Sequence, residues 1–440
     1  MPLDVLFLLL RQSYHESLRL TSNTERNTEM KQFKFLIMIF MLVLLPGAGF
    51  NTMVTAQEIR SAAALGFSPD GVLFVGDNVG GAIYAFDMGK GTAPAKPAPV
   101  NVENIDARVA SILGVGPGAI VINDMAVHPV TREIYLSVTR GYGSTAQPAI
   151  VKVDGKGTLT NIRLSEVKYT KQTLHDVPDG SKHFQARGMM EAPTAKDLVK
   201  AEAPMHTLAI MDIEYYKGEI FVAGISNEEF ASTLRRIPYP FSGKYASSKI
   251  KMWHIAHDHY ETRAPIRALV AKNFNGADYL IAAYTCSPVV LIPIKELKDG
   301  ASVTGKTIGD MGNGQPLDMV LFNHPMMKKE YLFVTNNSRM PQVFPVDGLV
   351  NAKEYKPETL EPGMKMDAMG VFPYGPLGYM TMFVGSSLQI DLLNEMYFVS
   401  LTRDAQTGSL DLESLITMFP VKLHRLTAEY DFPGVAPPEM

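Results

Sequence analysis

The stretch DMVLFNHPMMKKEYLFVTN, Asp318 to Asn336, decides the fold. An apolar run from Met319 to Phe322 leads into a polar turn around His324-Pro325. A second apolar run, Tyr331 to Val334, follows. Two short runs of β-formers separated by turn residues read as an antiparallel hairpin. The pattern recurs in AALGFSPDGVLFVGDN (63–78), DMAVHPVTREIYLSVTR (124–140), DIEYYKGEIFVAGIS (212–226), RALVAKNFNGADYLIAAYT (267–285) and DAMGVFPYGPLGYMTMFVG (367–385). Ser-Pro-Asp-Gly, Lys-Gly, Asn-Gly and Tyr-Gly-Pro supply the turn chemistry. Third strands follow as AIYAFD, AIVKVD, TLRRIPY, VVLIPI, QVFPVD and EMYFVS, with KIKMWHIA and SVTGKTIG as candidate fourth strands.

Four-stranded units repeated along a chain build a β-propeller. The fold class is therefore all-β: one propeller of four-stranded antiparallel blades, with six blades expected and seven the alternative if 418–432 joins the amino-terminal end. The first strands are anchored at Ala64, Asp124, Asp212, Arg267, Asp318 and Asp367. Their spacing is near that of propeller repeats except between Asp124 and Asp212. That longer gap is read as a polar insertion at about 160–206, with a short helical candidate in TAKDLVKAE. The hairpins resemble those of secreted propellers of the gluconolactonase-like, NHL and Tyr-Val-Thr-Asn repeat families, with Phe333-Val334-Thr335-Asn336 close to the last. In gluconolactonase-like enzymes, Glu, Asn and Asp at inner-strand positions hold a metal; here the anchors are Asp and Arg.

Composition narrows the function classes. With 46% hydrophobic and 20% charged residues the chain is globular. A formal charge of -4 gives no footprint for nucleic acid. A lone Cys286 excludes a disulfide framework and Cys-based zinc or iron–sulfur sites. Residues 30–56 read as a signal peptide: Lys31 and Lys34, the apolar run Phe35 to Leu45, and small residues before Gln57. The expected location is secreted or periplasmic, and the apolar run is too short to span a bilayer. Residues 1–29 then read as an over-long gene start, with Met30 the true one, and 57–440 as the propeller domain.

Two constellations carry candidate chemistry. The anchors Asp124, Asp212, Arg267, Asp318 and Asp367 share one register of the innermost strands and face the central channel. Unpaired buried charges are costly. Two readings are open: a polar-ligand or Ca²⁺-type site, or Asp side chains tying adjacent blades through backbone N–H groups. The second constellation is Trp253-His254-Ile255-Ala256-His257-Asp258-His259-Tyr260-Glu261. On a strand His257 and His259 share a face opposite His254, whereas in a loop all three can converge. With His206 from the preceding connection, these are candidate ligands for Zn or Cu at the channel mouth; structural and acid/base roles stay open. Paired methionines such as Met326-Met327 read as core filling or, in the alternative, as Cu(I) ligands. Two function classes result: a propeller with a polar, metal-capable channel mouth that acts on or binds a small polar metabolite, or a non-catalytic propeller for a protein or glycan partner, including a redox-complex subunit.

Overall fold

The computed structural model describes residues 59–185, 202–255, 257–285, 287–311, 315–337, 341–359, 380–381, 386–404 and 407–418. The fold is a β-propeller, and its described strands form six up-and-down sheets. Sheet I comprises Leu65–Phe67, Val72–Asp77, Ala82–Asp87 and Tyr169–Thr173. Sheet II comprises Ile120–Val127, Ile134–Arg140, Gln147–Val153 and Leu159–Ile162. Sheet III runs through Asp212–Tyr216, Glu219–Ile225, Ser232–Pro238 and Ala246–His254. Sheet IV runs through Ile266–Phe274, Ala277–Tyr284, Pro288–Pro293 and Ser302–Asp310. Sheet V holds Pro316–His324, Lys329–Asn336, Gln342–Pro345 and Met380–Thr381. Sheet VI holds Ser386–Leu392, Tyr397–Arg403 and Leu410–Ile416. The outer strands of III and IV also pair in parallel, from Lys249↔Ser302 to Met252↔Gly305.

The turns work as their residues dictate. Lys217-Gly218 and Asn275-Gly276 both have positive φ at each residue, the requirement of a two-residue hairpin turn that follows strand twist. In sheets II and V an X-Pro turn is capped from within: His128 Nδ1 accepts from Val130 N and Thr131 N, and His324 Nδ1 accepts from Met326 N and Met327 N. In sheet I Ser68 Oγ does the same for Val72 N. These two histidines therefore belong to turns. Met326 and Met327 are exposed at a hairpin tip, whereas Met125, Met252, Met311 and Met319 fill cores.

Each sheet buries both faces, and the alternation of side chains sorts them into six cores. In sheet I, Leu73, Val75, Tyr84 and Phe86 pack on Ala126, Tyr135 and Ile150 of sheet II. From its other face Phe74, Ile83 and Ala85 pack on Ile213, Ile220 and Val222 of sheet III. Three more cores join III to IV, IV to V and V to VI. The last joins VI to II, with Leu401 and Leu412 against Leu136 and Val151, and includes Ile105 and Val109 of a helix, Ile105–Ile112. The ring therefore runs III–IV–V–VI–II–I and back to III, and the innermost strands neighbour one another in that order.

This order departs from the order of the sequence. After its third strand the chain leaves sheet I, runs along the edge of sheet VI, builds sheet II, and returns to finish sheet I with Tyr169–Thr173. On the way, Val102 and Leu412 exchange backbone hydrogen bonds of 2.8 and 3.0 Å, and Val100 N donates to Ser414 Oγ at 2.7 Å. The stretch 160–206, expected as an insertion, thus contains the closing strand of sheet I. It also contains a small pairing of His183–Gln185 with Glu202–Pro204. Beyond that strand, Asp176 is held by the fully buried Arg235: Nε donates to both carboxylate oxygens, at 2.7 and 2.9 Å. The remaining guanidinium nitrogens donate to the carbonyls of Ala209 and Ile225. A buried ion pair with a partner at each guanidinium nitrogen fixes the geometry of the crossing.

The sixth sheet also begins later than expected. EMYFVS, read as a third strand, contributes to the second strand of sheet VI, paired with Ser386–Leu392. Residues 361–379, with the anchor Asp367, and 419–440, on which the seventh-blade alternative turned, lie outside the described residues. So does Cys286. No helix among the described residues is long and apolar enough to cross a membrane.

Gly66 tests the ring order. A Cβ there would sit 2.6 Å from the Ile213 carbonyl oxygen, because the inner strands of sheets I and III meet directly. Gly66→Ala is expected to lower stability by about 1–3 kcal/mol, the range for overpacking, measured by urea denaturation. A neutral substitution would mean that sheet I does not abut sheet III.

Candidate functional site

Four inner-strand aspartates are hydrogen-bonded in one way. Asp124 accepts from the following amide, Met125 N at 2.8 Å, and from Leu65 N of sheet I at 2.7 Å. Asp212 accepts from Ile213 N at 2.8 Å and from Leu269 N of sheet IV at 2.6 Å. Asp318 accepts from Met319 N at 2.7 Å and from Ile390 N of sheet VI at 2.8 Å. Asp391 accepts from Leu392 N at 2.6 Å and from Val127 N of sheet II at 2.7 Å. Each carboxylate bridges to the next inner strand in one direction around the ring. Glu214 adds a second bridge from III to IV, to Ala271 N at 2.9 Å. The two seams without an aspartate are those leaving sheet I, where Gly66 allows close approach, and sheet IV, where Arg267 stands. Register shifts fall at these positions in sheets II, IV and V, and bulges of this kind re-aim side chains.

Asp124, Asp212, Asp318 and Arg267 all line one cavity of ≈ 1420 Å³ at the channel mouth. Its wall is rich in amides, hydroxyls and guanidinium groups, including Arg60, Asn123, Thr139, Arg140, Asn161 and Thr207. With its amide turned to donate, Gln389 reaches Asp124 Oδ1 at 2.9 Å and Asp318 Oδ2 at 2.8 Å. Arg267 makes no hydrogen bond or ion pair among the described residues; it acts on Asp124 and Asp212 through space. Burial, aided by the Asp212 charge, pushes Asp124 up to about 7 against the pull of its amide donors and Arg267. Burial raises Asp212 and Asp391 to about 6 and Glu214 to about 8. It raises Asp318 well above the carboxylate range too, helped by the Asp124 charge.

Sequence reasoning found four of the five anchors in this place and missed Glu214, Gln389 and Asp391. Glu214 had a signal: it lies two residues past Asp212 on the same strand, hence on the same face. Asp391 had none, because the strand that carries it was read as a connection.

The histidine segment forms a hairpin. His254 pairs with His259 and Met252 with Glu261, while the chain reverses through Asp258 at φ 56. The face assignment made for a continuous strand therefore fails: His254, His259 and Glu261 share one face, and Trp253 and Tyr260 the other. The two aromatic rings meet edge to face at 5.2 Å. His257 folds over from the turn, with Nδ1 2.7 Å from Glu261 Oε1. His259 Nε2 lies 3.0 Å from the same oxygen and His254 Nδ1 3.6 Å. The imidazoles, His254 first, then His257 and His259, hold the Glu261 carboxyl down to about 2 against burial. His254, His257 and Glu261 present ligand atoms within 4.8 Å of one another. None of these residues lines the channel cavity. The group stands at the ends of the outer strands of III and IV, away from the mouth where it was expected. His206 is not part of it; its neighbours are Gly180, Arg60 and His183.

No protein-family model matches the chain, and no curated protein matches it. Similar solved structures include the apo-form of the soluble aldose sugar dehydrogenase from Escherichia coli, at 14% identity and TM-score 0.32, covering 82% of this chain and 97% of that one. A glucose dehydrogenase is similar at 12% identity and TM-score 0.32, covering 81% and 96%. Streptogramin B lyase is similar at 10% identity and TM-score 0.33, covering 82% and 95%. The likeness is one of fold alone.

The raised acids give stability a pH signature. In the folded chain they hold protons over a range in which the unfolded chain, with carboxyls near 4, has lost them. The folded state binds more protons from about pH 4 to pH 8, so stability falls as pH rises through that window. His206 opposes this, since burial and the Arg60 charge hold it below the ordinary histidine value, but it is one group against five. The acids are only partly buried, so the expected effect is moderated to a melting temperature a few degrees lower at pH 8 than at pH 5, by calorimetry. A steady rise over that interval would contradict a protonated ring.

Proposed function

We propose that the channel-mouth cavity binds a small polar metabolite carrying hydroxyl groups and one anionic group. The observation that carries this reading is Arg267: a guanidinium without a hydrogen-bonded partner among the described residues, lining a large cavity of mixed polar and apolar wall, beside carboxylates whose lone pairs are partly used by backbone amides. An anion on Arg267 makes charge-assisted, geometrically specific hydrogen bonds. The remaining acceptor capacity of Asp124 and Asp212, with Asn123 and Thr139, suits hydroxyls. Asp124, near neutrality, is suited to exchange a proton with a bound ligand. Arg60 and Arg140, on the same wall, favour an acidic ligand over a cationic one.

The reading includes export. The basic, apolar and small-residue segments of 30–56 support it, and amino-terminal sequencing of protein recovered outside the cytoplasm is expected to begin at Gln57.

Binding and architecture separate by mutation. A calorimetric screen of sugar acids, phosphorylated sugars and their neutral counterparts is expected to find binding among the anions only. Arg267→Gln should weaken it by about tenfold or more, roughly 1.4 kcal/mol, with little change in stability. Asp318→Ala should instead lower stability by about 1–3 kcal/mol, because the amides of Met319 and Ile390 lose their acceptor. Anion binding at unchanged affinity in Arg267→Gln, or binding of neutral ligands alone, would sink this reading.

A further inference from the structure

The hairpin between sheets III and IV holds a second constellation, independent of the cavity. His254 is 2% exposed, and neither of its ring nitrogens has a hydrogen bond among the described residues. A buried imidazole left in that state is costly unless something else takes its lone pair. Its nitrogens face Glu261 Oε1 and Asp310 Oδ2, each at 3.6 Å, beyond hydrogen-bond reach. His259 makes the point more sharply. Its Nδ1 lies 3.0 Å from the carbonyl oxygen of His257, which can only accept, so Nδ1 carries the proton. In the neutral ring Nε2 is then a bare lone pair, and it points at a carboxylate oxygen 3.0 Å away. Two lone pairs at that distance call for a cation between them, either the second proton of the ring or a metal ion.

We propose that His254, His257 and Glu261 bind one divalent transition-metal ion of the zinc class, with the fourth position left to solvent. Imidazole nitrogens with a single carboxylate select Zn²⁺ or its first-row neighbours over Ca²⁺ and Mg²⁺, which take oxygen ligands. Separations of 2.7 Å from Glu261 Oε1 to His257 Nδ1 and 3.6 Å to His254 Nδ1 are close to the edges of a zinc tetrahedron, about 3.3 Å for bonds near 2.0 Å. The ion would neutralise Glu261 and lock the connection that enters the inner strand of sheet IV one residue before Arg267.

The test is a zinc titration of chelator-stripped, untagged full-length chain against a chromophoric competitor. One equivalent per chain at sub-micromolar affinity is expected, with Co²⁺ giving the intense visible bands of four-coordinate ligation. His257→Ala and Glu261→Gln should each weaken binding by about 100-fold, while His206→Ala and Arg267→Gln leave it unchanged. His257 is half-exposed, so its variant is expected to fold, and circular dichroism verifies this. Absence of stoichiometric binding, or stoichiometric binding undisturbed by both His257→Ala and Glu261→Gln, overturns the proposal. Because Arg267→Gln retains the metal, failure of the cavity reading and failure of this one are distinguishable.

Discussion

The carboxylate that accepts an amide from the neighbouring inner strand is the constraint on which the molecule depends. Inner strands of adjacent sheets do not share a β-ladder, so their facing amides need acceptors from elsewhere. Asp124, Asp212, Asp318 and Asp391 supply them, one oxygen to the amide that follows and one across the seam. The arrangement draws acids into one narrow channel, where burial and mutual repulsion raise their pKa values. Structural acids placed there for the seams thereby create the electrostatics of the cavity above them. Arg267, at a seam without such a bridge, offsets part of that charge and remains available.

Much of this is legible in the sequence because hairpin chemistry is local. Lys217-Gly218, Asn275-Gly276 and the two His-Pro turns specify reversals through backbone preferences that need no tertiary partner. The aspartate anchors are legible for the same reason, since each opens an apolar strand. Of the two roles raised for them, tying adjacent strands is visible in their hydrogen bonds, and Asp124, Asp212 and Asp318 also line the cavity.

What stayed hidden depends on partners distant in the chain. Nothing in Tyr169–Thr173, a polar and mostly exposed strand, announces that it belongs beside Ala82–Asp87; that pairing is set by the buried Arg235–Asp176 contact and by the cores around it. The histidine hairpin was misjudged because alternation was counted along a continuous strand, whereas the chain reverses at Asp258. Glu261 went uncounted as a ligand for the same reason: only the reversal places it opposite Met252, on the face of His254.

The displaced position of sheet I has a consequence for how the chain reaches its fold. Sheet I waits for a strand made after all of sheet II, and the segment at Val100–Val102 waits for Leu412 and Ser414, some three hundred residues later. A chain emerging amino terminus first cannot complete these sheets one at a time. Sheet I keeps an open edge until Tyr169–Thr173 is made, the Val100–Val102 segment lacks its partner until the last sheet arrives, and such edges invite wrong pairing.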